Sequence, residues 1–215
     1  MASVSLNDVK HLASGTGLRE PSTPLPGGGM LLVKHPSDED IVRICEMSKS
    51  EISNAVASVD LVRAVYKHNA DTMWGVYFSP DETRDGAKLI GYYSFLHLTE
   101  SGAAALESGT FDGTNLDFSH LVQQGEKPTV VYVWGLVARK VARIATILVA
   151  KALGRELYGG VPIYGRAATL GGVAALKGYG FEGIRPSEKG VGDLFRLDPE
   201  VPQNAELPKP PNPAA

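Results

Sequence analysis

Thr129 to Val137 reads TVVYVWGLV, and Ala138 to Arg143 continues it as ARKVAR. The first stretch is apolar on both alternating faces, with Val131 and Val133 on one and Val130, Tyr132, Trp134 and Leu136 on the other. Apolar residues on both faces mark a central strand covered from two sides. Arg139, Lys140 and Arg143 then crowd into a short turn. Ile144 to Tyr158 runs without proline and with one interior glycine, Gly154, while Ala145, Leu148, Val149 and Ala152 fall on one helical face. Gly159 and Gly160 stop that helix, because glycine accepts the left-handed cap conformation. Val161 to Ala167 reads as the next strand.

A strand, a positive turn and a helix start together make an anion site. The first N–H groups of a helix have no internal partner, and the helix dipole places partial positive charge beside them. Arg139, Lys140 and Arg143 would strengthen such a site for phosphate. The same cations also read as a solvated surface turn, and composition does not separate the two.

From Val133 to Ile184 the chain resembles the GNAT N-acyltransferase family. In that family a strand leads into an Arg/Gln-x-x-Gly-x-Gly/Ala turn whose amides hold the coenzyme A pyrophosphate. The register that fits best puts Lys140 on the first position, Arg143 on the middle Gly and Ala145 on the last. Tyr164 to Thr169 (YGRAAT) and Leu176 to Phe181 (LKGYGF) resemble the second landmark, a strand and helix ending in Gly-Phe. The resemblance implies acetyl-CoA as co-substrate and an acetyl or other acyl group passed to an amine. It implies that the backbone of Leu136 and Val137 binds the pantetheine arm. The pyrophosphate falls to Lys140, Val141, Ala142, Arg143, Ile144 and Ala145, with Thr169 where many relatives carry Asn.

The departures are specific. Arg143 brings a side chain to the position of closest backbone approach, either crowding the pyrophosphate or pointing outward to bind it. Leu176 stands where relatives often carry the Tyr that protonates the leaving thiolate, and leucine has no proton to give. Tyr179 and Tyr164 are the candidate substitutes, each equally readable as an aromatic packed at a sheet edge. His97 and His120 are candidate bases, since histidine titrates near neutral pH. A histidine with no visible partner also reads as structural.

The chain has 215 residues, 43% of them hydrophobic and 21% charged, which suits one soluble domain with tails. A net charge of −3 argues against a dedicated nucleic-acid binder. The single cysteine, Cys45, has no internal disulfide partner, so a reducing cytoplasm is the expected compartment. It lies in a helical apolar pattern and reads as a buried thiol. No membrane span, signal peptide or metal-ligand spacing is visible.

Residues 1–29 read as a flexible arm ending in a Pro/Gly-rich linker, and 199–215 as an extended Pro-rich tail. Between them, 30–198 reads as one domain. Met30 to Lys34 is the first strand, followed by helices to about Ser53 and from Val59 to His68. Thr72 to Phe78 and Lys88 to Leu98 form a hairpin around Asp85-Gly86. Val191 to Leu197 is the last strand. Residues 99–128 form an inserted loop with helical turns at Ala103–Glu107 and Leu116–Val122, long enough to be functional. Its carboxylates suggest a cover over the acceptor that favours a cationic amine, or else an acidic solvated loop. Gly178 to Gly183 spells a dinucleotide pattern, but between a helix and a strand, in the wrong order for that role.

The expectation is a mixed α/β (α+β) domain, a twisted, mostly antiparallel mixed sheet flanked by helices. The expected function is N-acyl transfer to a small-molecule or peptide amine, with no nucleic-acid or membrane partner and a homodimer allowed. The alternatives are a non-catalytic domain of the same fold that binds a coenzyme A derivative or a protein partner, and a purely structural domain.

Overall fold

The strand read at 129–137 is β5 (Val130–Val137), the fifth of eight strands that the described residues form in one sheet, ordered β1-β2-β3-β4-β5-β6-β8-β7. The computed structural model describes residues 21–25, 28–52, 56–81, 86–137, 141, 144–145, 148–149, 160–184 and 190–198. The other strands are β1 (Ser22–Pro24), β2 (Met30–Lys34), β3 (Met73–Ser79), β4 (Lys88–Leu98), β6 (Ile163–Arg166), β7 (Glu182–Gly183) and β8 (Leu194–Leu197). Between them lie α1 (Asp38–Glu51), α2 (Val59–His68), α3 (Glu100–Ser108) and α4 (Leu170–Gly178). Every strand pair is antiparallel except β5–β6, so the architecture is the mixed, mostly antiparallel α+β class expected.

All four of these helices begin on a hydroxyl. Ser37, Ser58, Thr99 and Thr169 accept from the backbone N–H three residues on, at 3.1–3.3 Å. Such caps satisfy donors that the first turn leaves open. In α1 the acidic first turn Asp38-Glu39-Asp40 adds a favourable match to the helix dipole.

The sheet separates two apolar layers. On one face Leu31, Val33, Val76, Tyr93, Phe95 and Val131 pack against the helical residues Ala145, Leu148 and Val149. On the other, Val65 of α2 and Ala103 and Leu106 of α3 meet Leu96, Leu98 and Tyr164. Ile41, Ile44 and Cys45 of α1 continue that layer over Met73, Tyr92 and Val137. Fully burying a side chain of this size is worth about 1.5–3 kcal/mol, so both faces of the central strands are needed. Cys45 is a buried free thiol, and burial raises its pKa, as the apolar pattern around it implies.

Two stretches depart from the sequence reading. Residues 22–24, expected within a linker that holds no regular structure, form β1 at the sheet edge. Pro24 is tolerated there because an edge strand needs bonds on one side only. The return to β2 is tight, and a Cβ at Gly29 (φ 81°) would sit 2.6 Å from the Ser79 carbonyl and the Phe78 ring. Only glycine fits that crossing. The second departure is the helical turn expected at Ala103–Glu107, which is the middle of the longer helix α3, closed by Gly109 at φ 85°.

Candidate functional site

β5 is laddered unequally on its two sides. Against β4 it pairs along its whole length, from Leu98↔Val130 to Tyr92↔Val137. Against β6 it pairs only at Val131↔Ile163, Tyr132↔Tyr164 and Val133↔Gly165. β6 ends at Arg166, which pairs with Leu194 of β8 instead. Among the described residues no strand pairs with the β6 side of Trp134 to Val137. Two adjacent parallel strands therefore part, and the sheet opens where they do.

A bulge sharpens the opening. Ser94 faces Gly135 and Phe95 faces Val133, so Trp134 is the extra residue on β5. Trp134 stays on the face of Val130 and Tyr132, where its indole packs against both apolar clusters, and the bulge moves the residues that follow it to the other alternation. Its Nε1–H donates to the Gly113 carbonyl at 2.9 Å. Leu136, expected on the same face as Trp134, pairs with Tyr93 and so belongs to the opposite face, 41% exposed. The bulge breaks the period-two alternation on which that expectation rested. Gly135 carries the legible sign of it, since glycine inside a strand marks a bulge or a close approach. A Cβ there would stand 2.8 Å from the Tyr92 hydroxyl, which is bonded to Ser48 at 2.7 Å.

The two faces of the opening differ in chemistry. On the α4 face, Leu176 lies over Gly165, 3.3 Å from where a Cβ would be, with Val133 beside it. On the α3 face stand Tyr132, Tyr164 and Arg166. Phe111 meets the Tyr132 ring edge-on, with centroids 5.7 Å apart. Tyr164 donates its hydroxyl hydrogen to Glu107 of α3, and Arg196 lies over its ring at 5.6 Å. Burial, then that carboxylate, pushes Tyr164 up to about 12. Arg166 donates from Nη1 to the Gly192 carbonyl at 2.9 Å. Burial raises the Tyr132 pKa as well, and the nearby Arg166 pulls it partly back.

The sequence-predicted residues are distributed unevenly. Leu136 and Val137 lie on the unpaired edge, Leu136 exposed and Val137 buried against α1. Ala145 is fully buried, and Val141 and Ile144 pack on the same cluster. Lys140, Ala142 and Arg143 lie outside the described residues, as does Arg139. Thr169 caps α4, its Oγ1 accepting from Gly172 N–H at 3.1 Å. Tyr179 is 44% exposed at the far end of α4, next to Gly180, whose Cβ would meet Leu197 at 3.7 Å.

His97 is 2% exposed, with its Nδ1 3.0 Å from the Asn69 amide nitrogen. Burial lowers its pKa to about 4. It faces Val131, three residues before Trp134, or roughly 10 Å along the strand. His97 and Tyr179 are therefore not brought together, and neither borders the opening. His120 lies instead in a cleft of about 240 Å³ with Phe111, Asp112 and Asp117. A second cleft of about 270 Å³ lies between α1 and α2, around Ile41, Arg63 and Tyr66.

The carboxylates of the insertion are largely spent on their own backbone. Asp112 accepts from Thr114 N–H and Oγ1, each at 2.8 Å, and Asp117 accepts from Ser119 N–H at 2.9 Å. Those bonds hold both pKa values low. Glu126 accepts from Gln123 N–H at 2.9 Å, and Glu107 serves Tyr164. Among the described residues no group of His, Cys, Asp and Glu is placed to hold a metal ion, and no helix is long and apolar enough to cross a membrane. Compared with known proteins, the chain matches no family model and no curated protein.

Proposed function

We propose that the protein is an acyl-CoA-dependent N-acyltransferase of the GNAT type. The observation that carries this reading is the parting of β5 from β6 after Val133↔Gly165 while β5 runs on to Val137. A free strand edge of that length offers backbone donors and acceptors that an extended, amide-bearing arm such as pantetheine can pair with, as an added strand would. The basic sequence Ala138 to Arg143 follows it directly in the chain and would supply charge for a pyrophosphate.

In the reaction the neutral amine attacks the thioester carbonyl. The C–N bond forms, the C–S bond breaks, and the thiolate of coenzyme A leaves with the proton that the amine gives up. The protein's task is to hold the two partners together and to donate to the carbonyl oxygen from a backbone N–H of β5. No enzyme nucleophile is needed. Tyr164 keeps its own proton on Glu107 at neutral pH, so it is not poised to protonate the thiolate.

One observation favours a second reading, a coenzyme-binding domain without turnover. Leu176, packed over Gly165, fills the position from which relatives' tyrosine acts. Isothermal titration with acetyl-CoA and with free coenzyme A tests both. Saturable binding, weakened at least about 10-fold in Lys140→Ala/Arg143→Ala, is expected from the loss of charge-assisted phosphate bonds. No binding of either ligand to the folded protein removes the acyltransferase reading. Binding without thiol release across a broad amine panel selects the second one.

A further inference from the structure

On the α3 face of the opening one cation is conspicuous. Arg166 is the last residue of β6 and lies past the point where β5 pairs with it. It is exposed, and among the described residues it makes no ion pair. Its Nη1 is fixed instead by the uncharged Gly192 carbonyl at 2.9 Å. Glu107 accepts from Tyr164, and Asp112 from Thr114. An exposed guanidinium held at Nη1 by Gly192 and lying beside the Tyr132 hydroxyl suits a carboxylate.

The aromatic side chains on this face are fixed in place. Trp134 is held in place by Gly113 at 2.9 Å, and Phe111 braces the Tyr132 ring at 5.7 Å. Aromatic walls beside one cation, at the mouth through which an acceptor reaches the thioester, would seat a small molecule by its charged end. We propose that the amine acceptor carries a carboxylate, and that Arg166 receives it beside the Tyr132 hydroxyl, between Trp134 and Phe111. This rests on the acyl-transfer reading and revises the acceptor expected from composition. Asp112, Asp117 and Glu126 bond within that segment, and the exposed charge beside Tyr132 is the cation Arg166.

The test measures thiol release from acetyl-CoA with pairs of primary amines that differ only in charge, amino acids against their carboxamides, together with titration of acetyl-CoA binding. The expected result is kcat/KM at least about 10-fold higher for the carboxylates. Arg166→Gln should raise KM for the carboxylates by a similar factor. It should leave the carboxamides, kcat and acetyl-CoA affinity unchanged, and Arg166→Lys should recover part of the loss. Carboxamides used as well as carboxylates would overturn the proposal, as would Arg166→Gln impairing both alike. Turnover of carboxamides with none of the matching carboxylates overturns this inference alone, and coenzyme binding with no turnover of any amine overturns it together with the acyl-transfer reading. Absence of coenzyme binding by the unsubstituted protein overturns the acyl-transfer reading, and this inference with it.

Discussion

The two edges of β5 present the same backbone and meet different fates. Toward β4, every residue from Val130 to Val137 except the bulged Trp134 has a partner across the ladder. Toward β6, pairing stops after three residues. The paired edge lies over apolar layers on both faces, with Tyr93, Phe95 and Leu96 buried. The parted edge exposes Leu136, gathers Trp134, Tyr132 and Arg166 on one face, and leads into a basic sequence. Unpaired strand edges invite another chain to add to them, and proteins generally cover or shorten them. An edge left open inside the sheet, between two strands that have already met, is where a ligand can take the missing strand's place.

The comparison predicts that damage to the closed edge costs stability and damage to the open edge costs ligand. The largest effect should come from Phe95→Ala, which removes a buried ring from the first cluster. A loss of about 3–5 kcal/mol is expected in denaturant unfolding. Coenzyme affinity of the fraction still folded should hold.

His97, on the closed side, predicts an acid limb of comparable size. Its folded pKa of about 4 lies below the ordinary histidine value of 6.5, so the unfolded chain takes up the proton first as pH falls. The stability it contributes is present above pH 6.5 and is lost as pH falls toward 4, roughly 3 kcal/mol in all. His97→Gln, which still offers Asn69 a partner, should flatten that stretch of the stability–pH curve. An unchanged limb would place the titration elsewhere.

Trp134→Ala acts on the open side. Losing a half-buried indole and its bond to Gly113 should cost only about 1–3 kcal/mol. Thiol release should fall by a larger factor than stability alone explains. If melting temperature and activity fell strictly together, Trp134 would be packing and nothing more.

The smallest effect is expected from Glu107→Gln, because Glu107 is exposed. Stability at neutral pH should change by less than about 1 kcal/mol. Tyr164, raised to about 12 in the fold from the ordinary tyrosine value of 10, holds its proton more tightly when folded. Its contribution is therefore present below pH 10 and is lost as pH rises through about 12. In the variant, a tyrosinate absorbance titration should show Tyr164 ionising at lower pH than in the unsubstituted protein, since burial remains but the carboxylate is gone.

The sheet was legible because burial on both faces leaves a composition signal. Thr129 to Val137 is apolar at every alternating position, and 59–68 carries its stripe and its Ser58 cap within the sequence itself. The ends of α1 and α2 follow from such caps. β1 was not legible, because an edge strand of three residues with a proline has no periodicity to read. The face of Leu136 was misread because a bulge shifts register without changing composition, leaving Gly135 as its one trace. The aromatic and cationic wall of the opening was out of reach. Phe111, Tyr132, Trp134 and Arg166 come from three separate segments, and the parallel β5–β6 pairing and the packing of the 99–128 segment bring them to one face. The insertion shows the opposite limit, since its carboxylates were visible but their capture by Thr114, Ser119 and Gln123 was not.

The most direct test of the central claim is amide hydrogen exchange with and without saturating acetyl-CoA. The account predicts slowed exchange in the peptide spanning Trp134 to Val137 and its basic continuation. Exchange across Val130 to Val133 and β4 should be unchanged, because those amides already have strand partners. Protection confined to the clefts at Asp112–His120 or Ile41–Arg63, or no protection and no binding at all, would contradict it.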